Sequence, residues 1–280
     1  MFKKINISNN DSINLEFIGN IKKKNKIILI SPGLTTTKID ALLSSIIDFY
    51  LNKNYVICIY WKCGTKKKNE TFNPFGNIDH FNKAINKLIY YEYENIFLLA
   101  YSAGSYVVHK YLSTKQLNTN VKAAVFISGT PNITYNLKTL STFWKKRLNT
   151  KITNITNKLN KYPKFNINNS TYSIINNISR INKNSNFIDY LIEKDNYPIE
   201  TLINTIKIPS IIINAIDDPL INEFRDKNYN YNIYKSNQNV NFLLTKNGRH
   251  CIFLKRKGLI FHVGYLSNHI SYYFFEKYIQ

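Results

Sequence analysis

Cysteine is scarce in this sequence, and long apolar stretches do not occur. The 280 residues include only three cysteines, Cys58, Cys63 and Cys251. Three thiols form no even disulfide framework, and Cys58 lies in an apolar run typical of a buried strand, so we expect a reduced, cytoplasmic protein. No stretch approaches the roughly 18 apolar residues of a membrane-spanning helix. Residues 1–10 are polar, so no signal peptide is predicted.

Arginine is also rare, although the chain is strongly basic. Lys and Arg total 38 against 17 acidic residues, a net charge of +21, yet only five of the 38 are Arg. Nucleic-acid sites favour the forked guanidinium group of Arg, whereas here Lys is enriched together with Asn, Ile and Tyr, as in AT-rich genomes. We therefore do not expect a nucleic-acid partner, and we keep weak association with anionic membrane surfaces as an alternative.

Apolar residues are plentiful, at 44% of the chain with 14% aromatic, and their spacing alternates between two periods. Short apolar runs predict buried strands at 13–18, 27–30, 55–60, 96–100, 121–127, 208–215 and 240–245. Stretches with a helical period predict helices at 39–51, 79–93, 103–112 and 266–278. This alternation predicts an α/β fold with a mainly parallel central sheet and helices on both faces.

The alternation stops over residues 131–205, which contain mixed helical segments and no convincing strand, and it then resumes. The sequence therefore predicts one α/β core formed by residues 1–130 and 206–280, with a helical cap insertion formed by residues 131–205. Two roles stay open for apolar residues of the insertion such as Phe143, Trp144 and Leu148, namely lining a site or packing onto the core.

Ser102 lies where a predicted strand ends and a helix begins, within Ala100-Tyr101-Ser102-Ala103-Gly104. A nucleophilic serine needs a sharp strand-to-helix turn with small residues two positions before and two after it. The helix N-terminus also favours developing negative charge. Ala100 and Gly104 are small enough, although the usual first residue is Gly. The alternative is a serine that only caps the helix.

Candidate acids follow the predicted strand at 208–215, in Asp217-Asp218-Pro219. An aspartate at this place can orient the imidazole of a catalytic base. We favour Asp218, the residue next to the proline, over Asp217, and Asp226 is a more remote candidate. The alternative for this segment is an Asx turn before proline.

The candidate base is His250, which follows the predicted strand at 240–245 within Gly248-Arg249-His250. The chain order serine, acid, histidine is the order that an α/β-hydrolase requires. His262 is a rival because a glycine also lies near it. The histidines in predicted helices are His80, His109 and His269.

The loop that begins Pro32-Gly33-Leu34 directly follows the predicted strand at 27–30. In such a fold this loop supplies one backbone N–H to the oxyanion, and the residue after the nucleophile supplies the other. We assign these donors to Leu34 and Ala103, and an ordinary Pro-Gly turn is the alternative. The His and Cys residues show no metal-ligand spacing, so no metal or organic cofactor is expected.

Five segments match motifs of one known family. Residues 32–35 are similar to H-G-L-[TS], residues 61–64 to N-x-R-G-C-G with Lys in place of Arg, and residues 75–79 to G-x-x-x-D-[LI]. Residues 208–219 are similar to I-x-x-P-x-L-x-x-x-A-x-D-D-P, and residues 248–254 to G-G-H-x-G-F-L. The chain thus resembles the YheT-like or AB hydrolase 4 family of α/β-hydrolases, whose relatives include phospholipases of the ABHD1/ABHD3 type.

The resemblance implies a triad of Ser102, Asp218 and His250, with Leu34 and Ala103 as oxyanion donors. The chain departs from the family pattern at four positions, Pro32, Ala100, Arg249 and Ile252, where the family has His or Gly. None of these departures removes a reacting group.

The predicted function is hydrolysis of carboxylic esters, lipid or small-molecule, through an acyl-enzyme on Ser102. Two alternatives stay open. One is a catalytically silent α/β-hydrolase that serves as a binding module, and the other is a basic protein that docks on nucleic acid or anionic membranes. The sequence does not predict an oligomeric state.

Overall fold

A computed structural model describes residues 2–7, 13–64, 72–114, 117–129, 132–159, 161–182, 203–226, 230–253, 255–257, 260–262 and 264–279. The strands are β1 (Phe2–Ile7), β2 (Ile13–Ile18), β3 (Lys26–Ser31), β4 (Val56–Trp61), β5 (Asn95–Tyr101), β6 (Val121–Ile127), β7 (Ser210–Ala215), β8 (Val240–Thr245), β9 (Lys255–Lys257) and β10 (Ile260–His262). The helices are α1 (Ala41–Leu51), α2 (Ile78–Tyr90), α3 (Gly104–Thr114), α4 (Ile133–Lys138), α5 (Thr142–Thr156), α6 (Thr171–Ile181) and α7 (Tyr265–Glu276).

Strands β1 to β8 form one sheet in the order β1-β2-β4-β3-β5-β6-β7-β8. From β4 to β8 every neighbouring pair is parallel, whereas β1 and β2 extend the β4 edge in antiparallel pairing. The carboxyl ends of six strands therefore lie at the same edge of the sheet. Among the described helices, none is long and apolar enough to cross a membrane.

The central strands are buried on both faces, as β3 illustrates. Ile27 and Leu29 belong to the apolar cluster that includes residues of α2 and α3. Ile28 and Ile30 belong to the cluster that includes residues of α1 and α7. Successive side chains of a strand point to opposite faces, so a sheet covered on both sides requires a continuous apolar run. The predicted mainly parallel sheet with helices on both faces is confirmed.

Helix ends differ from the predicted ends because caps and turns, rather than apolar spacing, determine them. Helix α1 begins after Asp40, whose carboxylate accepts the N–H of Leu43 at 2.9 Å. Asn77 caps α2 in the same way, through bonds to two N–H groups of the first turn. Glu92 adopts a left-handed φ of 62° just after α2, so the predicted helix at 79–93 stops at Tyr90.

Helices α4, α5 and α6 lie between β6 and β7, where the sequence predicts a helical insertion. Two hydrogen bonds tie this segment to Phe72, in the chain before α2, and a third within the segment links the two side chains that form them. The N–H of Phe72 donates to the Tyr162 hydroxyl at 2.7 Å, which donates to Asn182 Oδ1 at 2.6 Å, and Asn182 Nδ2 donates to the Phe72 carbonyl at 2.9 Å. The division into core and a cap of residues 131–205 stays a prediction, and residues 183–202 lie outside the described residues.

Strands β1, β9 and β10 are absent from the sequence-based prediction. Strand β1 pairs with β2 in a register that places Phe2 opposite Ile18. The β9 strand consists of Lys255, Arg256 and Lys257, which contain no apolar signal. Pairing between strands, rather than periodicity along the chain, produces these elements.

His109 of α3 is buried, and its ring stacks on Phe126 with the ring centroids 3.7 Å apart. Neither ring nitrogen has a hydrogen-bond partner among the described residues. Burial lowers the pKa of His109 to about 3, because a charged imidazolium would lose its hydration. The unfolded chain therefore binds more protons than the folded chain between pH 6.5 and about 3, and this difference destabilises the protein as the pH falls.

We expect the His109→Phe variant to lose less stability on acidification than the wild type. The packing effect of the substitution is independent of pH, whereas the proton linkage of His109 disappears. Between pH 7.5 and pH 5, the free energy of unfolding of the wild type should fall by about 2 kcal/mol more than that of the variant. Urea denaturation at both pH values measures it, and an unchanged difference would contradict the assigned burial.

Candidate active site

Four segments that follow parallel strands meet at the carboxyl edge of the sheet. Ser102 directly follows β5, and Leu34 lies in the loop after β3. Asp218 lies three residues beyond β7, and His250 lies five residues beyond β8. Ligands of open α/β sheets bind at this edge, because the loops there converge from both sides.

Ser102, His250 and Asp218 form one hydrogen-bonded chain. Ser102 Oγ lies 2.7 Å from His250 Nε2. His250 Nδ1 lies 2.8 Å from Asp218 Oδ2 and 3.0 Å from Oδ1. An ionised carboxylate only accepts, so Nδ1 carries the hydrogen, and in the neutral ring Nε2 accepts from the serine hydroxyl. The structure thus brings together the three side chains that the sequence analysis selected.

The turn that presents Ser102 has little steric tolerance. Ser102 has a φ of 54°, in the left-handed region that side chains other than glycine rarely adopt. Its N–H donates to the Ile127 carbonyl at 2.9 Å, which fixes it to β6. A Cβ atom on Gly104 would lie 2.1 Å from the Ser31 carbonyl oxygen, so only glycine fits there. At position 100, where the related motif has glycine, the strand accommodates a fully buried alanine.

The two neighbouring aspartates have different roles. Asp218 is fully buried, and its Oδ1 also accepts the Leu220 N–H at 2.8 Å. Asp217 Oδ1 instead accepts the N–H groups of Gly248 and Arg249 at 2.8 and 2.7 Å, so it anchors the loop that contains His250. The sequence predicts Asp217 only as an alternative acid and does not predict this anchoring role. The adjacent carboxylates before a proline were the available signal.

The His250 loop is held in a strained conformation. Arg249, Cys251 and Phe253 have φ values of 46°, 60° and 37°. Each costs of the order of 1–3 kcal/mol outside glycine. The Cys251 N–H donates to Ser128 Oγ at 2.9 Å, which helps to hold this conformation. Strain of this kind persists only where the surroundings over-determine the backbone, and it concentrates at functional sites.

The other candidate residues are not part of this hydrogen-bonded chain. The Asp226 carboxylate accepts the Tyr135 hydroxyl at 3.4 Å. His80 Nδ1 lies 3.1 Å from Cys63 Sγ, and His269 Nδ1 lies 2.9 Å from the Tyr265 carbonyl oxygen. His262 lies in β10, and its side chain is outside the described residues. The described residues include no cluster of three or more His, Cys, Asp or Glu side chains suited to a metal ion.

Lys62 lies beneath the loop after β3 and fixes its orientation. Its Nζ donates to the carbonyls of Pro32 and Gly33 at 2.9 and 2.7 Å, and the side chain is buried. The Gly33–Leu34 peptide is trans, so the Leu34 N–H points away from Lys62. Within the described part of the chain, the N–H groups of Leu34 and Ala103 have no hydrogen-bond acceptor. The sequence motif identifies Lys62 only as a replacement for Arg and does not predict this contact.

Ser102 and His250 border a cleft with two arms. The apolar arm has a cavity volume of about 80 Å³. Its apolar lining includes Phe75, Ile133, Leu137, Leu140, Leu148 and Ile221. The polar arm has a cavity volume of about 270 Å³, and its polar and aromatic lining includes Thr35, Thr36, Asp40, Trp144, Arg147 and Lys151. Leu34 borders both arms, whereas Ala103 borders the apolar arm.

The electrostatic environment of His250 favours the protonated ring. Burial alone would lower the pKa of His250, but the Asp218 carboxylate at 2.8 Å outweighs that effect. The pKa of His250 is therefore raised well above its usual value. Its side chain remains 20% exposed, so the ring contacts the open cleft.

No protein-family model and no curated protein matches the sequence. Solved structures do match. The Pyrococcus furiosus esterase Pf2001 is 14% identical over 100% of this chain and 92% of its own, with a TM-score of 0.57. Mouse alpha/beta hydrolase domain-containing protein 10 is 14% identical over 98% and 99%, with a TM-score of 0.58. Est1E from Butyrivibrio proteoclasticus is 13% identical over 96% of both chains, with a TM-score of 0.59. The chain has the α/β-hydrolase fold.

We expect Asp218→Asn to lower the pKa of His250, because the substitution removes the charge that stabilises the imidazolium. Histidine ring resonances followed by NMR across a pH titration measure this value. The matched control is Asp217→Asn, since that carboxylate bonds to the loop backbone and the amide retains an acceptor. Equal shifts in the two variants would contradict the assignment of Asp218 as the ring partner.

Proposed function

We propose that the protein is a serine hydrolase of carboxylic esters, with Ser102 as nucleophile, His250 as general base and Asp218 as the acid of a catalytic triad. The observation that carries the proposal is the hydrogen-bonded chain from Ser102 through His250 to Asp218, with distances of 2.7 and 2.8 Å, at the mouth of a cleft. The left-handed backbone of Ser102 supports it, since a nucleophilic serine on this fold occupies a strained turn.

The geometry supports the following sequence of steps. His250 Nε2 takes the hydroxyl proton of Ser102 as Oγ attacks the ester carbonyl carbon. The tetrahedral intermediate then expels the alcohol, to which His250 returns the proton. Water, deprotonated by His250, attacks the acyl-enzyme, and the carboxylic acid leaves as Ser102 regains its proton. Asp218 stays ionised and stabilises the imidazolium in both halves of the reaction.

The Leu34 and Ala103 N–H groups are the proposed oxyanion donors. Both residues border the cleft beside Ser102, and neither N–H has an acceptor within the described residues. Preorganised donors cost no reorganisation during the reaction and stabilise the charge that develops on the carbonyl oxygen. Through its bonds to Pro32 and Gly33, Lys62 would keep one of these donors aimed at the cleft.

The proposed substrate is an ester whose acyl group is apolar. The apolar arm is lined by leucine, isoleucine and phenylalanine side chains next to Ser102, and such a surface favours hydrocarbon. One of the similar structures, Pf2001, carries the name esterase, which agrees with this proposal. All three cysteines are free thiols, which suits the reducing cytoplasm as the setting.

We also propose that the chain is a YheT-like member of the α/β-hydrolases. Two contacts support this finer assignment. Lys62, at the position where the family motif has Arg, binds the loop that begins at Pro32. Asp217 and Asp218, the adjacent acids of the family motif, both hold the His250 segment.

Ser102→Ala should lower the kcat for 4-nitrophenyl butyrate by at least about 10⁴-fold, because no nucleophile remains. A fluorophosphonate probe should label the wild type and leave this variant unlabelled. The control is Ser105→Ala, which removes a buried hydroxyl from the first turn of α3, just after Ser102. Equal hydrolysis by wild type and Ser102→Ala would exclude the proposed mechanism, and a stable wild type without either activity would indicate a silent binding module.

Lys62→Met should reduce kcat by roughly ten- to a hundredfold with KM almost unchanged, because a mispositioned Leu34 N–H weakens binding of the transition state more than of the substrate. Lys62→Arg should restore most of kcat, since the guanidinium can donate to the same two carbonyls. Steady-state kinetics on 4-nitrophenyl butyrate, at matched thermal stability, measure the effect. A change confined to KM would argue against a role in holding the oxyanion loop.

A further inference from the structure

We propose that the polar arm binds an anionic group on the alcohol portion of the ester, through Arg147 and Lys151 of α5. This inference rests on the proposed ester hydrolysis. It names the substrate class as esters that combine an apolar acyl group with an alcohol bearing a carboxylate, sulfonate or phosphate.

The two arms meet at Ser102 and His250. This arrangement places the acyl portion and the alcohol portion of an ester in different arms. Ser102 and His250 border both arms. An ester carbonyl placed at Ser102 therefore extends its two substituents into different arms. Leucines border both arms, but in the described structure the charged side chains of Asp40, Arg147 and Lys151 border only the polar arm. The acyl chain therefore suits the apolar arm, and the alcohol portion faces the polar arm. His250, at the junction, can then return its proton to the departing alcohol oxygen.

Two cations of α5 line the polar arm. Arg147 and Lys151 are four residues apart, so they lie on one side of the helix, and Trp144 lies three residues before Arg147 on that side. The Arg147 guanidinium lies 5.6 Å from the centre of the Trp144 ring, a cation–π contact between two residues that line this arm. The sequence of α5 contains no acidic residue that would neutralise these charges within the helix.

Asp40 is the acidic group that lines the same arm. Its carboxylate accepts the Leu43 N–H at 2.9 Å and caps α1, where the helix N-terminus offsets its negative charge. The hydroxyls of Thr35 and Thr36 add neutral hydrogen-bonding groups. Two cations against one capped carboxylate leave the arm positive, which is the charge that an anionic alcohol requires.

The test compares two soluble esters on the full-length protein, 4-nitrophenyl butyrate and 3-carboxy-4-nitrophenyl butyrate. The wild type should have a kcat/KM about tenfold higher for the carboxylated ester, after correction for the intrinsic hydrolysis rate of each ester. The double variant Arg147→Gln/Lys151→Gln should lose this preference, measured as the ratio of the two kcat/KM values. The preference should also decrease as salt concentration rises.

The matched control is Lys145→Gln/Lys146→Gln, which removes the same charge from the same helix at positions that do not line the cleft in the described structure. It should keep the preference for the carboxylated ester. A preference that both double variants lose equally would assign the effect to overall charge and overturn the proposal. Absence of the preference in a wild type that hydrolyses the neutral ester would also overturn it.

Comparing monomeric esters with esters in lipid vesicles shows whether the anion belongs to the substrate molecule or to a lipid surface. Butyrate esters are monomeric in water, so a preference measured with them assigns the anion to the substrate molecule itself. A preference that appears only with esters in phosphatidylglycerol vesicles, and not with monomeric esters, would assign it to a lipid surface and overturn the proposal. If the wild type hydrolyses neither ester, it is the proposed ester hydrolysis that fails.

Discussion

The contact between Asp218 and His250 is the constraint on which the rest of the site depends. A carboxylate removed from water needs several partners, since burial of an unpaired charge costs several kcal/mol. Asp218 has two such partners, the His250 ring at 2.8 Å and the Leu220 N–H at 2.8 Å. These bonds fix the ring tautomer, and the ring in turn forms a hydrogen bond with Ser102. The loops after β5, β7 and β8 must therefore keep their relative positions for any of the three residues to have its partner.

The sheet provides that rigidity, and the loops contain the strain. Strands β5 to β8 are neighbours in parallel pairing, so their carboxyl ends lie at defined separations. Against this fixed edge, Ser102, Arg249 and Cys251 adopt left-handed conformations that few side chains tolerate. The departure from glycine at position 249 shows that the surrounding contacts, including the bonds from Asp217, are strong enough to hold an arginine there.

The sequence was sufficient to predict seven of the eight strands of the main sheet, the four helices that cover it and the three residues of the hydrogen-bonded chain. The reason is physical, since parallel strands that each end in a polar residue place those residues at one edge. Other features depend on three-dimensional arrangement. Lys62 reaches the loop after β3 because β3 and β4 are neighbours, which apolar spacing along the chain does not reveal. The two roles of Asp217 and Asp218 likewise depend on how one turn orients adjacent side chains. Strand β9, with three cationic residues, contains no apolar pattern at all.

The paired aspartates have a consequence for comparisons among distant proteins. Asp218 hydrogen-bonds to the His250 ring, and Asp217 accepts the N–H groups of the two residues before His250. One dipeptide therefore supplies both the charge that stabilises the base and the bonds that position it. A chain that retained only the second aspartate would keep the hydrogen-bond partner of the imidazole. It would lose the clamp, meaning the two bonds from the first aspartate to the backbone before the histidine. At identities of 11–14%, where overall similarity reveals only the architecture, this dipeptide can separate chains that share the clamp from those that position their histidine by other means.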